Sequence, residues 1–468
     1  MTRFDVVVIG SGPAGQKAAI QAAKAGVRAL VIEEGARPGG ACVHRGTIPS
    51  KTLRETAVAL GLVRRRSGGV LDIVPPEDLK IASLMTRLDD VIAAHQKFIA
   101  DQLERNGVAL WHGRARFVSP TEVQVRGVDG SVRVATTTHV VIATGSRPRN
   151  PDDVPIDHEH IVDSDSILSL SYLPVSLAVI GSGVIATEYA CTFAALGVRV
   201  TMIDRSPRPL AFLDEELTTE VTRAFERQGG TYLGNRTATR IEWTGECVTT
   251  LDDGSIVRSE KLLYCLGRVA NVETLGLAAA GLATNARGLI EVDARFRTKV
   301  PTIYAVGDVI GPPSLAATAM EQGRRAVCDA LGIAVPASSA LVPAGVYAIP
   351  ELGMVGLTEA QAVAKYGSCV VGRARFDELA RGQIAAIEDG LLKLVCDPSG
   401  RQILGVHIVG EGAAELVHVG QIAMLAGWEV DAFVDNIFNF PTLGEAYRVA
   451  ALDVCSRRAR LRAAAAAG

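Results

Sequence analysis

A strand-turn-helix unit occurs twice in this chain, and the repeat limits the possible folds more than any other feature of the sequence. The first copy spans residues 5–33 and the second spans residues 177–204. In each copy an apolar run leads into a glycine-rich turn, a helical stretch and a second apolar run that ends in an acid. The acid lies 23 positions after the first glycine in both copies (33 minus 10 and 204 minus 181). Two such units predict an α/β protein with two Rossmann-like domains.

The glycines of the two turns have separate roles. The first allows a tight turn, the second lets backbone N–H groups approach a pyrophosphate, and the third permits close packing of helix and strand. The acid after the second strand accepts hydrogen bonds from a ribose. The pattern predicts two dinucleotide sites, and a glycine-rich turn without a ligand is the alternative at each. The residues concerned are Gly10, Gly12, Gly15 and Glu33 at the first site and Gly181, Gly183, Ala186 and Asp204 at the second.

Two later strand ends favour FAD rather than NAD at the first site. Thr144 and Gly145 follow the apolar run 140–142, and Asp308 follows a second short apolar run. Both bring small or acidic residues to the carboxyl edge of a parallel sheet, where ligands bind. Asp308 can accept hydrogen bonds from the ribityl chain of FAD, or it caps the helix that begins at Ala316. We include Ala316 with the other three residues in the predicted FAD site.

Length, charge and cysteine use exclude several classes of protein. A chain of 468 residues suits two or three domains, and a net charge of -3 gives no long-range attraction for nucleic acid or anionic membranes. No apolar run is long enough to cross a membrane. The eight cysteines follow no disulfide framework and no signal peptide precedes the first strand, so we expect a cytoplasmic protein. The eight histidines lack metal-ligand spacing, and we expect no metal site.

Periodicity outside the repeats predicts further elements. Residues 75–106 have the apolar spacing of a helix. From residue 341 onward, strands flanked by helical segments predict a third, α+β domain. The alanine-rich tail, 461–468, is expected to fray. Alternating residues predict strands at 115–125, 132–142 and 237–264.

The segment Gly39-Gly-Ala-Cys42-Val-His-Arg-Gly-Thr47-Ile-Pro-Ser-Lys51 resembles the flavin-proximal segment of the pyridine nucleotide-disulfide oxidoreductases. Three later segments are similar to that family too, in the same order along the chain: Gly267-Arg268, 304–308 and 441–445. The resemblance adds Gly40, Ala41, Cys42 and Lys51 to the FAD site, and Glu188 and Gly267 to the NAD(P) site.

The same resemblance implies a domain order and an assembly. An FAD-binding domain, 1–148 and 269–340, is interrupted by an NAD(P)-binding domain, 149–268, and followed by a dimerisation domain, 341–468. The implied assembly is a homodimer, able to associate further, in which the C-terminal tail of one subunit reaches the partner's flavin. The expected partners are otherwise small-molecule nicotinamide dinucleotides, with no nucleic acid and no membrane.

Two departures from the family's pattern concern its disulfide chemistry. Thiol reductases of this family use a C-x4-C pair, but this chain has Cys42 and Thr47, and a threonine cannot form a disulfide. They also place an acid-base histidine before the Pro-Thr of the tail, where this chain has Phe440. The chain is similar in both respects to the soluble, FAD-containing (Si-specific) pyridine nucleotide transhydrogenases. That resemblance implies hydride transfer between NADPH and NAD+ through FAD, without a redox-active disulfide.

The resemblance also implies a catalytic set. Lys51 is expected near flavin N5, paired with Glu188, where a cation stabilises anionic reduced flavin. An ordinary surface lysine and a solvated helix position are the alternatives for these two. Cys42 is either a small filler against the flavin or a thiolate that tunes it. Thr47 and Glu445 complete the set.

Asp204, Arg205 and Arg208 give a mixed coenzyme signal. The acid favours NAD, whereas arginines can pair with a 2′-phosphate and favour NADP. We expect both NAD and NADP to bind; the alternative is NAD alone beside a solvated charge cluster. Because FAD takes one dinucleotide site, the donor and acceptor nicotinamides must use the other in turn, which predicts ping-pong kinetics.

Two other functions remain open on the sequence. A dihydrolipoamide dehydrogenase-like enzyme, or another NAD(P)H-dependent flavin reductase or diaphorase, would pass electrons to a different acceptor. A redox-sensing flavoprotein subunit would bind the same cofactors without turnover.

Overall fold

The computed structural model describes residues 1–66, 81–337 and 341–467, and it places the two repeats in separate sheets. The first repeat lies in a seven-stranded sheet and the second in a five-stranded sheet, and the C-terminal region builds another five-stranded sheet. The predicted fold class, two Rossmann-like units and a C-terminal α+β unit, is confirmed.

The N-terminal region begins with the first strand-turn-helix unit and continues through two long helices to an antiparallel hairpin. Its elements are β1 (Thr2–Ile9), α1 (Pro13–Lys24), β2 (Ala29–Glu33), α2 (Gly40–His44), α3 (Thr47–Arg66), α4 (Ile81–Arg105), β3 (Ala109–His112), β4 (Arg114–Ser119), β5 (Glu122–Arg126), β6 (Val132–Ile142) and β7 (Ser146–Pro148).

The strands of this sheet run in the order β3-β2-β1-β6-β5-β4. Strand β1 pairs in parallel with β2 and β6, whereas β4 and β5 add as an antiparallel hairpin. Val7 and Ile9 pack into the core on one face and Val6 and Val8 into the core on the other, which explains the unbroken apolar run. The strands predicted at 115–125 and 132–142 are confirmed. The predicted helix is confirmed at 81–105, and its part at 75–80 lies outside the described residues.

The middle region contains the second repeat and a small antiparallel sheet. Its five-stranded sheet is parallel throughout and has the order β11-β10-β9-β15-β8, and β12, β13 and β14 form the small sheet. The elements are β8 (Ile161–Val162), β9 (Ser176–Ile180), α5 (Val184–Ala195), β10 (Arg199–Ile203), α6 (Glu215–Arg227), β11 (Thr231–Leu233), β12 (Ala238–Trp243), β13 (Cys247–Leu251), β14 (Ile256–Ser259), β15 (Lys261–Tyr264) and β16 (Arg268–Ala270).

The two segments that lead into and out of the middle region run side by side. Strands β7 and β16 pair antiparallel, with Pro148 opposite Arg268 and Ser146 opposite Ala270. The predicted domain limits at 148 and 268 fall on this pair of strands, although the limits themselves stay a prediction.

The chain then returns to the first sheet through β17 (Ile303–Ala305) and α7 (Ala316–Ala330). Strand β17 pairs in parallel with the end of β6. Helix α7 packs closely on α1, because a Cβ on Gly323 would lie 2.1 Å from the Ala14 carbonyl oxygen. The return completes the sheet edge at which the first fingerprint lies.

The C-terminal region forms an antiparallel sheet, in the order β18-β19-β22-β21-β20, with helices beside it. The last helix continues through the alanines as far as Ala467, and the fraying expected of this end stays a prediction. Alanine has the highest helix propensity of any residue, which supports this extension. The elements are β18 (Ala344–Val346), β19 (Leu352–Gly356), α8 (Glu359–Tyr366), β20 (Val370–Arg375), α9 (Ala380–Ile384), β21 (Gly390–Cys396), β22 (Ile403–Gly410), α10 (Ala413–Leu425), α11 (Asp431–Asp435) and α12 (Glu445–Ala467).

Candidate functional site

The first fingerprint turn contains two glycines that pack against backbone atoms and one glycine that leaves open space beside it. Gly10 has φ of +100°, and a Cβ there would lie 2.4 Å from the Ala143 carbonyl oxygen. A Cβ on Gly15 would lie 1.9 Å from the Gly10 carbonyl oxygen. By contrast, a Cβ on Gly12 would meet nothing closer than Gly40 Cα at 4.0 Å. Helix α1 starts at this turn without a side-chain cap or an acid in its first turn, so its N–H groups are free for an anion.

Glu33 ends β2 beside this turn. Its Oε2 accepts hydrogen bonds from the backbone N–H of Ser11 (2.9 Å) and from the Ser11 hydroxyl. Its Oε1 accepts a hydrogen bond from the N–H of Gly35 (2.7 Å). These contacts hold the carboxylate at the strand end, where the predicted ribose contact requires it.

Cys42, Thr47, Lys51 and Asp308 are brought together next to the turn. Gly40, with φ of +62°, would place a Cβ 2.7 Å from the backbone of the fingerprint turn, so the segment carrying Cys42 packs directly on it. Burial raises the pKa of the Cys42 thiol, while a hydrogen bond with Thr47 and the charge of Lys51 lower it and the charge of Asp308 raises it. The net rise keeps the thiol protonated at neutral pH, beside a threonine hydroxyl rather than a second thiol.

Asp308 lies at the carboxyl edge of the sheet but does not cap α7. Its Oδ2 accepts a hydrogen bond of 2.6 Å from Ser146 Oγ, which in turn accepts one of 2.8 Å from Arg268 Nε. Leu315 precedes the first turn of α7, and no side chain in the described part of the chain caps this helix. The helix-cap alternative was therefore wrong. Sequence reasoning missed Ser146, which lies 162 positions from Asp308 and meets it only once β17 has paired with β6.

The remaining residues of the predicted FAD site lie at or near this edge. Thr144 and Gly145 connect β6 to β7, and Gly145 has φ of +67° with no atom of the described residues within 4 Å of where a Cβ would lie. The Thr144 carbonyl accepts a hydrogen bond from Asn271 Nδ2 (3.0 Å). Ala41 lies in α2 and Ala316 is the first residue of α7.

Lys51 and Glu188 form the ion pair that the resemblance implied. Lys51 Nζ, on α3, lies 2.6 Å from Glu188 Oε2, on α5, and the two side chains are 24% and 9% exposed. Glu188 Oε1 accepts a hydrogen bond of 2.8 Å from the backbone N–H of Tyr347. Lys51 Nζ also lies 5.0 Å from the centre of the Tyr347 ring. The surface-lysine and solvated-helix alternatives were therefore wrong.

The second fingerprint repeats the geometry of the first. Gly181 has φ of +118°, and a Cβ there would lie 2.9 Å from the Cys265 carbonyl oxygen. Among the described residues, no atom lies within 4 Å of a Cβ built on Gly183 or on Gly267. Ala186 is buried in α5, which begins without a side-chain cap or an acid in its first turn. This turn also offers free N–H groups and open space to an anion.

The predicted coenzyme-binding residues after β10 differ in how many contacts they make with the rest of the protein. Asp204 Oδ1 accepts a hydrogen bond of 2.7 Å from the N–H of Ser206. Arg205 is exposed and forms no ion pair with any residue in the described ranges. Arg208 donates from Nε to Thr218 Oγ1 (2.9 Å) and from Nη2 to the Leu213 carbonyl (3.4 Å). Arg205 is therefore free to meet a phosphate, whereas Arg208 holds its own loop together.

The segment before α12 carries two large apolar side chains that are open to water. Ile437 is 95% exposed and Phe440 is 68% exposed. Glu445 begins α12, and its Oε2 is 3.5 Å from the N–H of Thr442. This is the side-chain hydrogen bond that Glu445 makes with the described residues of its own chain. A single chain therefore does not bring Glu445 to Lys51.

Within the described ranges, no group of three or more histidine, cysteine, aspartate or glutamate side chains is arranged to hold a metal ion. None of the helices in those ranges is long and apolar enough to cross a membrane.

Comparison with known proteins gives full-length matches. The family model of the pyridine nucleotide-disulphide oxidoreductases matches residues 4–323, and that of their dimerisation domain matches residues 342–451. A soluble pyridine nucleotide transhydrogenase of Mycobacterium bovis is 44% identical over 98% of both chains. One of Hahella chejuensis is 41% identical over 97% of this chain and 99% of the relative.

Solved structures share the fold over the same length. LpdA from Mycobacterium tuberculosis superimposes with a TM-score of 0.88 at 28% identity, over 97% of this chain and 99% of the other. The HOCl-induced flavoprotein disulfide reductase RclA from Escherichia coli gives a TM-score of 0.86 at 25% identity, over 96% of this chain and 99% of the other.

Proposed function

Because this chain belongs to the pyridine nucleotide-disulphide oxidoreductases, we propose that it is an FAD-dependent transhydrogenase that moves hydride between NADPH and NAD+. Its 39–44% identical relatives carry the name soluble pyridine nucleotide transhydrogenase. The chain uses FAD and both nicotinamide coenzymes, and its setting is the cytoplasm.

One observation carries the proposal. The two parts of the disulfide chemistry are missing together, since Thr47 replaces a cysteine and Phe440 replaces a histidine, while both nucleotide fingerprints are intact. Electrons from a nicotinamide then have no thiol pair to reduce at Cys42. The remaining acceptor for which the chain has a binding site is a second nicotinamide.

The residues present fit the cofactors. Gly12 and Gly183 leave open space in front of helix N-termini that have no side-chain caps, which suits two pyrophosphates. Glu33 and Asp204 lie at the ends of the second strands, where ribose hydroxyls are bound. When bound, FAD supplies hydride acceptance and donation at N5.

The chain's own residues bind, orient and stabilise charge. Lys51 provides a positive charge next to Cys42 and Asp308, in a partly buried site where such a charge acts strongly. Glu188 holds this ammonium group in place and belongs to the helix that binds the nicotinamide coenzyme. Asp204 selects the ribose of NAD, and Arg205 pairs with the 2′-phosphate of NADP. Donor and acceptor share this one site in turn, which gives ping-pong kinetics.

The dimerisation domain at residues 342–451 indicates a homodimer. Within the proposal, the tail of each subunit reaches the partner's flavin. The exposure of Ile437 and Phe440 supports this, because large apolar side chains so open to water are typical of contact surfaces. Glu445 would then act across the subunit interface.

Anaerobic titration with NADPH, followed by addition of NAD+, tests the proposal. We expect two electrons per FAD and full reoxidation of the flavin by NAD+, with formation of NADH. Uptake of four electrons would reveal a second redox centre and overturn the disulfide-free chemistry. Failure of NAD+ to reoxidise the flavin would remove transhydrogenation and favour a diaphorase.

A further inference from the structure

Residue 347 contacts both members of the Lys51–Glu188 pair. The backbone N–H of Tyr347 donates to Glu188 Oε1 (2.8 Å), and the face of its ring lies 5.0 Å from Lys51 Nζ. Glu188 uses its other oxygen for Lys51 at 2.6 Å. One residue from the third region of the chain therefore holds the acid through its backbone and the cation through its ring.

The loop that carries Tyr347 is itself fixed. Arg54, on α3, donates from Nε to the Ala348 carbonyl at 3.0 Å and pairs through Nη2 with Glu351 at 3.1 Å. The Arg54 and Glu351 side chains are only 9% and 11% exposed. Helix α3 carries both Arg54, which holds the Tyr347 loop, and Lys51. The same helix therefore fixes the position of the ring and the position of the ammonium group that faces it.

We propose that Tyr347 is a positioning residue for Lys51, whose ring keeps the ammonium group beside the flavin while an arriving nicotinamide displaces Glu188. This inference rests on the proposed function. Without the ring, an ammonium group released by Glu188 would turn toward solvent on its flexible stem. With it, the charge stays where negative charge develops during reduction of the flavin.

The ring, rather than the hydroxyl, is the relevant group. Burial raises the pKa of the Tyr347 hydroxyl, so it carries no charge at neutral pH. It makes no hydrogen bond with the residues that the structure describes. A cation facing an aromatic ring changes an equilibrium by about two- to thirtyfold.

The test compares Tyr347→Leu and Tyr347→Phe in the FAD-loaded dimer. For Tyr347→Leu we expect a lower flavin midpoint potential and a rate of flavin reduction by NADPH that is about two- to thirtyfold slower. Tyr347→Phe should restore both, because it keeps the ring. The matched control is Tyr366→Leu, since Lys365 lies 5.1 Å from the Tyr366 ring on α8, outside the site; it should match the parent in both measurements.

A shape-conserving series covers the case in which Tyr347→Leu fails to fold. Phenylalanines with increasing fluorination at position 347 keep the packing and weaken the attraction of the ring for a cation. The midpoint potential should fall step by step along the series. A constant potential along the series, or a Tyr347→Leu variant with the parent potential, would overturn the inference.

The two proposals fail in different ways. A protein that exchanges no hydride between nicotinamides but still shows the fluorination trend would refute transhydrogenation and retain the role of Tyr347. A protein that reoxidises with NAD+ and shows no trend would retain transhydrogenation and refute the role. A chain that binds no FAD would refute both.

Discussion

Lys393 and Asp214 form an ion pair of 3.0 Å in which the side chains are 2% and 3% exposed. Lys393 lies on β21 of the C-terminal region, and Asp214 caps α6 of the middle region. Burial alone would lower the Lys393 pKa, but hydrogen bonds with Glu359 and Asp214 outweigh it and raise the pKa. The pair therefore joins the middle and C-terminal regions through two buried charges.

Replacing Lys393 by methionine should strongly destabilise the protein. The change leaves Asp214 buried without its cation, which costs about 3–5 kcal/mol. Urea unfolding of the parent and of Lys393→Met measures the difference. The control is Lys97→Met, because Lys97 is 76% exposed and pairs with Asp101 on a helix surface, where the loss is below about 1 kcal/mol. Equal losses in the two variants would contradict the assignment.

Stability should fall at acidic pH partly through His407. Burial lowers the pKa of His407 from 6.5, and the ring nitrogen Nε2 lies 2.8 Å from the Leu357 carbonyl. The unfolded chain then binds the proton more readily than the folded chain does. The contribution of neutral His407 to the free energy of unfolding is therefore present above pH 6.5 and is lost as the pH falls below 6.5. Melting temperatures across this range should decline less steeply for His407→Gln than for the parent. An unchanged slope would assign the acid sensitivity to other groups, such as His139, whose pKa burial also lowers.

Gly12, which leaves open space, and Gly15, which packs against the backbone, should respond differently to substitution by alanine. Gly12→Ala meets no protein atom closer than 4.0 Å, so the apoprotein should keep its melting temperature but lose FAD affinity. Gly15→Ala places a Cβ 1.9 Å from a carbonyl oxygen, which should lower apoprotein stability by about 1–3 kcal/mol or more. Flavin content per protein and apoprotein melting curves separate the two effects. Normal flavin content in Gly12→Ala would place the cofactor elsewhere.

Arg205 and Arg208 should affect coenzyme use in different ways. Arg205→Ala removes a free cation, so KM for NADPH should rise about tenfold or more while KM for NADH changes little. Arg208→Ala breaks hydrogen bonds within the loop and should weaken both coenzymes to a similar extent. Steady-state kinetics with each coenzyme distinguishes these outcomes. An NADP-selective defect in Arg208→Ala would instead give that residue the phosphate contact.

Local patterns predicted the parts of this fold that short segments determine. The two fingerprint turns, with Gly10 and Gly181 at positive φ, follow from glycine spacing and apolar runs within about thirty residues. The pairing of Lys51 with Glu188, 137 positions apart, came only from resemblance, because no periodicity joins residues so distant.

Other features could not be read from the sequence because they depend on contacts between regions. A lysine is rarely fully buried, and Lys393 is buried because Asp214 at the start of α6 and Glu359 on α8 both contact its ammonium group. Tyr347 lies 159 positions from Glu188, in the loop that follows β18. Arg208 has the position expected of a phosphate ligand, yet its donors are used by Thr218 on α6 and by the Leu213 carbonyl in the loop before that helix.

The pairing of β7 with β16 makes the middle region an insert whose two ends lie side by side. Its two ends are held next to each other by three residue pairs, from Ser146–Ala270 to Pro148–Arg268, so the chain leaves and re-enters the flavin half at one place. A nucleotide-binding unit from another protein, with ends spaced alike, could be exchanged at these strands if it also supplies an acid for Lys51 and one for Lys393, as Glu188 and Asp214 do now. Coenzyme preference can thus be altered by grafting or by recombination, while the Asp308 edge and its cofactor stay as they are.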